Sequence, residues 1–268
     1  MKTILAPVDF SDASINALWF AAELCKRAAA RLLVATVVQK EQNESNAIAV
    51  LNDTATNVRS AFGPTLKVDS IAIAGELVPA VQQLVAEHHP DLIVMGTKGA
   101  SGLKEILIGS NTVNVMAKVT VPLLVIPELA RFEGFLNRPQ NQIVLATDLD
   151  EIENEAALDL LKEVALLVNN PNVKVVSVRP KNTELDYIKK LQRDALLGLF
   201  SPEIESERVT VFSNNVMSGL NYYLEKDPET SLVAMIARDS GHLIQRHYTR
   251  EMASHTHLPL LVLHDFKH

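Results

Sequence analysis

The sequence predicts an α/β protein made of two tandem, doubly wound, open parallel sheets of five strands each. Three observations predict it. Short apolar runs alternate with longer helical segments, the pattern of βαβ units joined by right-handed crossovers. Those runs are continuously apolar rather than alternating, as befits strands covered on both faces. The whole pattern also occurs twice. "TILAPVDFSD" from Thr3 is matched by "QIVLATDLDE" from Gln142, "HPDLIVMG" from His89 by "ETSLVAMI" from Glu229, and "VPLLVIP" from Val121 by "LPLLVLH" from Leu258. Landmarks repeated in one order imply a duplication. Its join falls in the polar stretch 128–142, which contains Gly134 and Pro139. Two domains are expected, at 1–130 and 140–268.

In the first half, strands are expected at 3–8, 31–38, 67–73, 91–96 and 122–127. A helix follows the first strand, capped by Ser11 or Asp12. Its apolar stripe is Ile15, Leu18, Trp19, Ala22 and Cys25, at three- and four-residue spacing. That stripe makes Cys25 a small core residue rather than a nucleophile. A second helix runs near Val78–His88, and His88-His89 before Pro90 ends it. The second half repeats the strands near 142–147, 173–178, 208–213, 231–237 and 259–264. "NNPNVKV" from Asn169 reads as a turn into a strand.

Composition narrows the function. The net charge of -7 argues against a general nucleic-acid binder, because phosphate backbones need a basic surface. A single cysteine allows no intrachain disulfide and fits a reducing compartment. The opening residues lead straight into a strand-like run, without a signal-peptide pattern. No stretch approaches the roughly 18 apolar residues of a membrane helix. A soluble cytoplasmic protein, with neither nucleic acid nor membrane as partner, is expected.

Glycine is sparse, yet four of the ten glycines (Gly96, Gly99, Gly102 and Gly109) fall in "MGTKGASGLKEILIGSNT", just after the fourth strand. In doubly wound sheets, ligands bind outside the carboxyl ends of strands where the strand order reverses. Glycine lets backbone approach a ligand, and a helix opening at Gly109-Ser110 offers free amides, a hydroxyl and a positive dipole end to an anion. Asp9, ending the first strand, flanks the same crevice. Lys98 either joins the phosphate site or points into water. Neither GxxxxGK[ST] nor GxGxxG after the first strand is present, so the P-loop and Rossmann motifs are excluded. The plainer alternative is that the glycines make a turn and the serine a cap.

The spacing Gly96-x2-Gly99-x9-Gly109-Ser110 resembles the G-x2-G-x9-G-[S/T] motif of the ATP-binding branch of the universal stress protein family. Pro7-Val8-Asp9 is similar to the family's first-strand ending, and the run from Pro122 to Ile126 to its last strand. The resemblance implies the adenine nucleotide alpha hydrolase-like fold, with strand order 3-2-1-4-5, for both halves, and the motif in the first half alone. It also implies that Pro7, Val8 and Asp9 line the adenosine end, with Asp9 near the ribose. Val37 would offer backbone to adenine, and Gly96 and Gly99 would let the loop close over ribose and phosphates. Gly109, Ser110 and Thr112 would hold the phosphates. The implied ligand is ATP, ADP or AMP, with Mg2+ brought by the phosphates, in a stress-linked sensor or regulator. Nucleotide would order the loop from Thr97 to Ile108 and so change a partner surface. Family members pair through their last strands, so the two halves are expected to form an intramolecular pseudo-dimer, with a homodimer as a further option.

The second half keeps the aspartate, as Asp148, and loses the rest. Ile236 stands at the place of Gly96, Asp239 at that of Gly99, and Arg246-His247 replaces the Gly-Ser. Phosphate binding by the same mode is not expected there. Six of the eight histidines lie between His242 and His268, without a cysteine partner or an HExxH pattern, so surface histidines and a mobile tail at His264 and His268 are expected rather than a metal site. No catalytic constellation stands out. Two other readings remain: a slow ATPase or autophosphorylating enzyme acting through Ser110, and a nucleotide-free interaction module with a different small ligand near Asp148.

Overall fold

Thr3–Pro7 (β1) is buried at every position because it is the middle strand of a parallel sheet. Its neighbours are Arg31–Val38 (β2), in register Ile4 to Leu32, and Leu92–Gly96 (β4), in register Ile4 to Leu92. Lys67–Ala74 (β3) pairs outside β2, and Leu123–Ile126 (β5) outside β4. The order is therefore β3-β2-β1-β4-β5, all parallel. The chain winds one way from β1 to β3 and the other way from β4 to β5. A crevice must open between β1 and β4, where the helices diverge. The computed structural model describes residues 1–38, 44–97, 109–131, 138–238, 251–252 and 257–265. They divide into two units, Met1–Phe132 and Glu133–His268.

Four described helices belong to the first unit: Asp12–Ala28 (α1), Glu44–Phe62 (α2), Leu77–His88 (α3) and Ser110–Lys118 (α4). Ser11 caps α1 by accepting from the Ser14 amide. The buried face of α1 is centred on Ala13, Ala17, Ala21 and Leu24, with Leu18, Ala22 and Cys25 beside it. Ile15 and Trp19, expected in the stripe, are only half-buried. Trp19 instead leans on Phe62 of α2, ring centroids 5.2 Å apart. Small residues let α1 lie close to the sheet, Phe20 is fully buried, and Trp19 packs sideways. Cys25 is fully buried, and burial pushes its thiol up to about 12, against a smaller lowering by a backbone hydrogen bond at Ile4. His89 ends α3 in the left-handed conformation, φ 46°.

The second unit has the same internal order, β8-β7-β6-β9-β10, again all parallel. Its strands are Asn141–Ala146 (β6), Pro171–Arg179 (β7), Glu205–Phe212 (β8), Thr230–Arg238 (β9) and Leu260–Asp265 (β10). Its described helices are Glu155–Leu166 (α5), Tyr187–Phe200 (α6) and Val216–Lys226 (α7), capped by Asn154, Asp186 and Asn215. A backbone detail marks the duplication. Phe10, after Asp9, and Leu149, after Asp148, are both left-handed, at φ 64° and 62°. This conformation is uncommon for bulky residues.

Two expectations need correction. β8 begins at Glu205, three residues before the expected 208, because Glu205-Ser206-Glu207 lies on an edge strand open to water and carries no apolar run. His264 is not in a mobile tail: it is 1% exposed, within β10 and opposite Ala237 of β9. His242, His247, His255 and His268 lie outside the described residues.

Candidate functional site

All strands of the first unit end on one edge, and a cleft of about 970 Å3 opens there. This is near the upper end of the usual range for small-molecule sites. Of the residues singled out in the sequence, Pro7, Val8, Asp9, Val37, Gly96, Gly109, Ser110 and Thr112 all line it. Gly99 lies outside the described residues, as do Lys98 and Gly102.

Each group has a distinct part. The Val8 amide donates to the Ala35 carbonyl at 2.7 Å, and its carbonyl accepts from Thr36 Oγ1 at 2.9 Å. With its polar groups so engaged, Val8 presents an apolar wall, as does Pro7, which has no amide hydrogen. The Asp9 carboxylate is aimed by its own turn: Oδ1 accepts from the Ser11 hydroxyl at 2.5 Å and the Ser11 amide at 3.1 Å. Burial works against its charge. Hydrogen bonds from the Ser11 hydroxyl and amide, and the contact with Ser14, outweigh burial and hold the carboxyl below its usual value. Asp9 is therefore an anion at neutral pH, exposed at the rim.

Gly96 is required by packing. A Cβ there would lie 2.3 Å from the Ala13 carbonyl oxygen, so glycine alone lets β4 end against the start of α1. Thr112, 3% exposed, donates from Oγ1 to the Gly96 carbonyl at 2.9 Å. That bond fastens the first turn of α4 to the end of β4, so Thr112 acts as a positioning residue.

The chemistry of the cleft comes mainly from main-chain amides. Gly109 is the N-cap of α4 and supplies no side-chain cap. Val113 is the first amide of α4 to reach back, to the Gly109 carbonyl at 3.2 Å. The amides of Ser110, Asn111 and Thr112 thus have no acceptor among the described residues. α3 also opens onto this cleft, through Glu76 and Leu77, again with no side-chain cap. Its first returning amide is that of Ala80, to Glu76 at 3.0 Å. Two positive helix ends thus face one crevice, an arrangement that attracts anions. Sequence reasoning missed the α3 end. The available signal was Pro79 in a first turn, four residues after Gly75, whose φ is positive.

Residues 1–127 match the family model described as the universal stress protein family. Over 140 residues, 47% of this chain and 95% of theirs, the chain is 27% identical to universal stress proteins of two strains of Mycobacterium tuberculosis. It is 38% identical over 60 residues to a universal stress protein of Methanocaldococcus jannaschii, covering 22% of this chain and 37% of that protein. The crystal structure of a universal stress protein from Archaeoglobus fulgidus is similar with a TM-score of 0.74 at 20% identity, over 98% of each chain. Residues 1–127 belong to the universal stress protein family.

The likeness in fold extends over both units, but the second departs from the universal stress protein cleft at its centre. β9 does not stop at Ile236, the counterpart of Gly96. It continues to Arg238, paired with β10 as far as Asp265. In the first unit the Cβ at this position is excluded by α1, which starts three residues after Asp9. In the second unit α5 starts seven residues after Asp148, and the longer turn makes room for the Ile236 side chain. Arg238, 8% exposed, then fills the crevice from within. Its Nη1 donates to Asp148 Oδ1 at 2.6 Å and its Nε to Asp265 Oδ2 at 3.0 Å. Its Nη2 donates to the carbonyls of Asp150 at 2.7 Å and Glu151 at 3.2 Å. Burial opposes the Arg238 charge, and the two carboxylates more than restore it. Asp148 is thus committed to an internal cation. Asp239 and Arg246-His247 lie outside the described residues. Among the described residues, no group of three or more His, Cys, Asp or Glu is placed to hold a metal ion, and no helix is long and apolar enough to cross a membrane.

Proposed function

We propose that the first unit binds an adenine nucleotide and that the chain works as a nucleotide-dependent sensor or regulator in the cytoplasm. The carrying observation is the convergence of two uncapped helix N-termini, α3 and α4, on one cleft of nucleotide size. ATP, ADP and AMP all fit this chemistry. The amides of Ser110, Asn111 and Thr112 would take phosphate oxygens, and the Ser110 hydroxyl would add a donor. Asp9 would accept from a ribose hydroxyl. Val37 would offer backbone to the base, while Pro7 and Val8 form the apolar wall. Gly96 and Thr112 would keep β4 and α4 at the spacing the phosphates need. Bound Mg2+ would supply charge neutralisation on the phosphates. Occupancy stabilises the loaded first unit by mass action, which makes its stability a readout of nucleotide level.

Asn111→Glu tests the reading with two signals of opposite sign. Asn111 is exposed in the first turn of α4 and lines the cleft. A carboxylate there complements the helix dipole and stabilises the nucleotide-free protein by about 0.3–1 kcal/mol. It also repels a phosphate, so ATP affinity measured by calorimetry should fall about tenfold or more. Unchanged affinity in Asn111→Glu, or no ATP binding by the wild-type chain, would remove the proposal. Phosphate release under the same conditions separates a binder from a slow ATPase.

A further inference from the structure

We infer that the second unit holds a small carboxylate, without phosphate, in a cavity of its own. The inference is independent of nucleotide binding in the first unit. The cavity is about 290 Å3 and opens at the carboxyl ends of β6 and β7. Asp148, Ser177, Val178, Arg179, Leu185 and Lys189 line it.

Register locates this space within the duplicated fold. Ala146 pairs with Val176 as Pro7 pairs with Ala35, so Ser177 and Val178 occupy the places of Thr36 and Val37. In the first unit the Thr36 hydroxyl is used up on the Val8 carbonyl. Ser177 is 8% exposed, and its hydroxyl has no hydrogen-bond partner among the described residues. It is a buried polar group left available to the cavity.

Arg179 is the second unspent group. Its side chain makes no hydrogen bond or ion pair among the described residues, and its Nε is enclosed without an acceptor. Its guanidinium carbon lies 5.3 Å from the centroid of the Phe212 ring, a contact that leaves the nitrogen fork unused. Arg179 is half-buried, and its Nε is enclosed without an acceptor, so an anion in the cavity would complete this donor and use the open fork. The other charges facing this space are already matched or exposed. Asp148 is bound by Arg238 at 2.6 Å, and Lys189 is paired with Asp150 at 2.8 Å. Asp186 caps α6 by accepting from the Lys189 amide at 2.8 Å. Glu184 also lines the cavity and is exposed. Of the two cations that line the cavity, Arg179 is the one without a carboxylate partner among the described residues.

The choice of carboxylate follows from the same wall. A planar carboxylate matches the guanidinium fork. Asp148, Glu184 and Asp186 would repel a phosphate dianion more than a monoanion. No open helix end compensates, since Asp186 caps α6. Val178 and Leu185 provide an apolar surface for a short hydrocarbon body.

The test uses the full chain labelled with 15N and titrated with sodium isovalerate, with inorganic phosphate as a second arm. Isovalerate should shift the Arg179 guanidinium resonance saturably, and phosphate should leave it in place. Arg179→Gln should weaken isovalerate binding about tenfold or more, as expected for loss of a charge-assisted pair. Ser177→Ala should weaken it less. Absence of a saturable Arg179 shift in the wild-type chain overturns the inference without any variant. An equal response to phosphate overturns the carboxylate assignment, and unchanged binding by Arg179→Gln overturns the role of Arg179. A parallel ATP titration is scored on first-unit resonances, so the two readings fail separately.

Discussion

Replacing Gly96 by alanine challenges the contact that shapes the first-unit cleft. The new Cβ would lie 2.3 Å from the Ala13 carbonyl oxygen and 2.6 Å from its carbon. Both obstacles are main chain, so no side-chain rotation relieves them, and either α1 or the end of β4 must move. Overpacking a tight site costs about 1–3 kcal/mol, and a backbone obstacle places Gly96→Ala at the upper end, about 3 kcal/mol. With a urea slope of about 1–3 kcal/mol per molar, the midpoint should fall by about 1–3 M. Trp19 is the only tryptophan and stacks on Phe62, so its fluorescence follows unfolding of the first unit alone. Because α1 carries the Ser11 cap that aims Asp9, ATP affinity should fall in the same variant. Gly198→Ala is the matched control. It is inside α6 with no atom within 4 Å of the added Cβ, and it should gain about 0.5–1 kcal/mol, read by hydrogen exchange of α6 amides. An unfolding free energy for Gly96→Ala within about 0.5 kcal/mol of wild type would refute the packing argument.

Other expectations follow from the same contacts. The Cys25 thiol should resist iodoacetamide in the native chain at pH 8 and react once urea unfolds the first unit. Its folded value is raised, so the stability it contributes is complete below the ordinary 9.0 and is lost as pH climbs toward about 12. Over that window Cys25→Ala should lose less stability than wild type. Arg238→Met leaves the buried Asp265 carboxylate without its cation and should destabilise the second unit by about 3–5 kcal/mol, measured by hydrogen exchange of β9 and β10. Adding Asp265→Leu should recover part of that loss, and equal stability of Arg238→Met and wild type would show that the guanidinium network contributes nothing.

The sequence made the strands legible because parallel strands covered on both faces leave unbroken apolar runs. β1, β2 and β4 differ from expectation by a residue or less at either end. It failed at β8, where an edge strand carries Glu205 and Glu207. It also placed the α1 stripe too near Trp19, because spacing does not say which neighbour an aromatic will choose. At the site, spacing brought Asp9, Gly96 and Gly109 to attention but not their tasks. The need for glycine at position 96 comes from Ala13, far away in sequence, and no local pattern reports it. The helix end at Leu77 and the role of Arg238 were hidden for the same reason. One depends on which strand ends lie side by side, the other on a partner 90 residues away.

The arginine in the second crevice has a consequence for how the chain behaves as conditions change. A ligand that is part of the polypeptide has no concentration, so that lobe keeps the same filling in a starved cell and a fed one. The first lobe has no such tenant in its described residues, and its exposed amides depend on what the surrounding solution supplies. On the function proposed above, the molecule would join a responsive element to one indifferent to that signal, as a gauge is joined to its fixed reference.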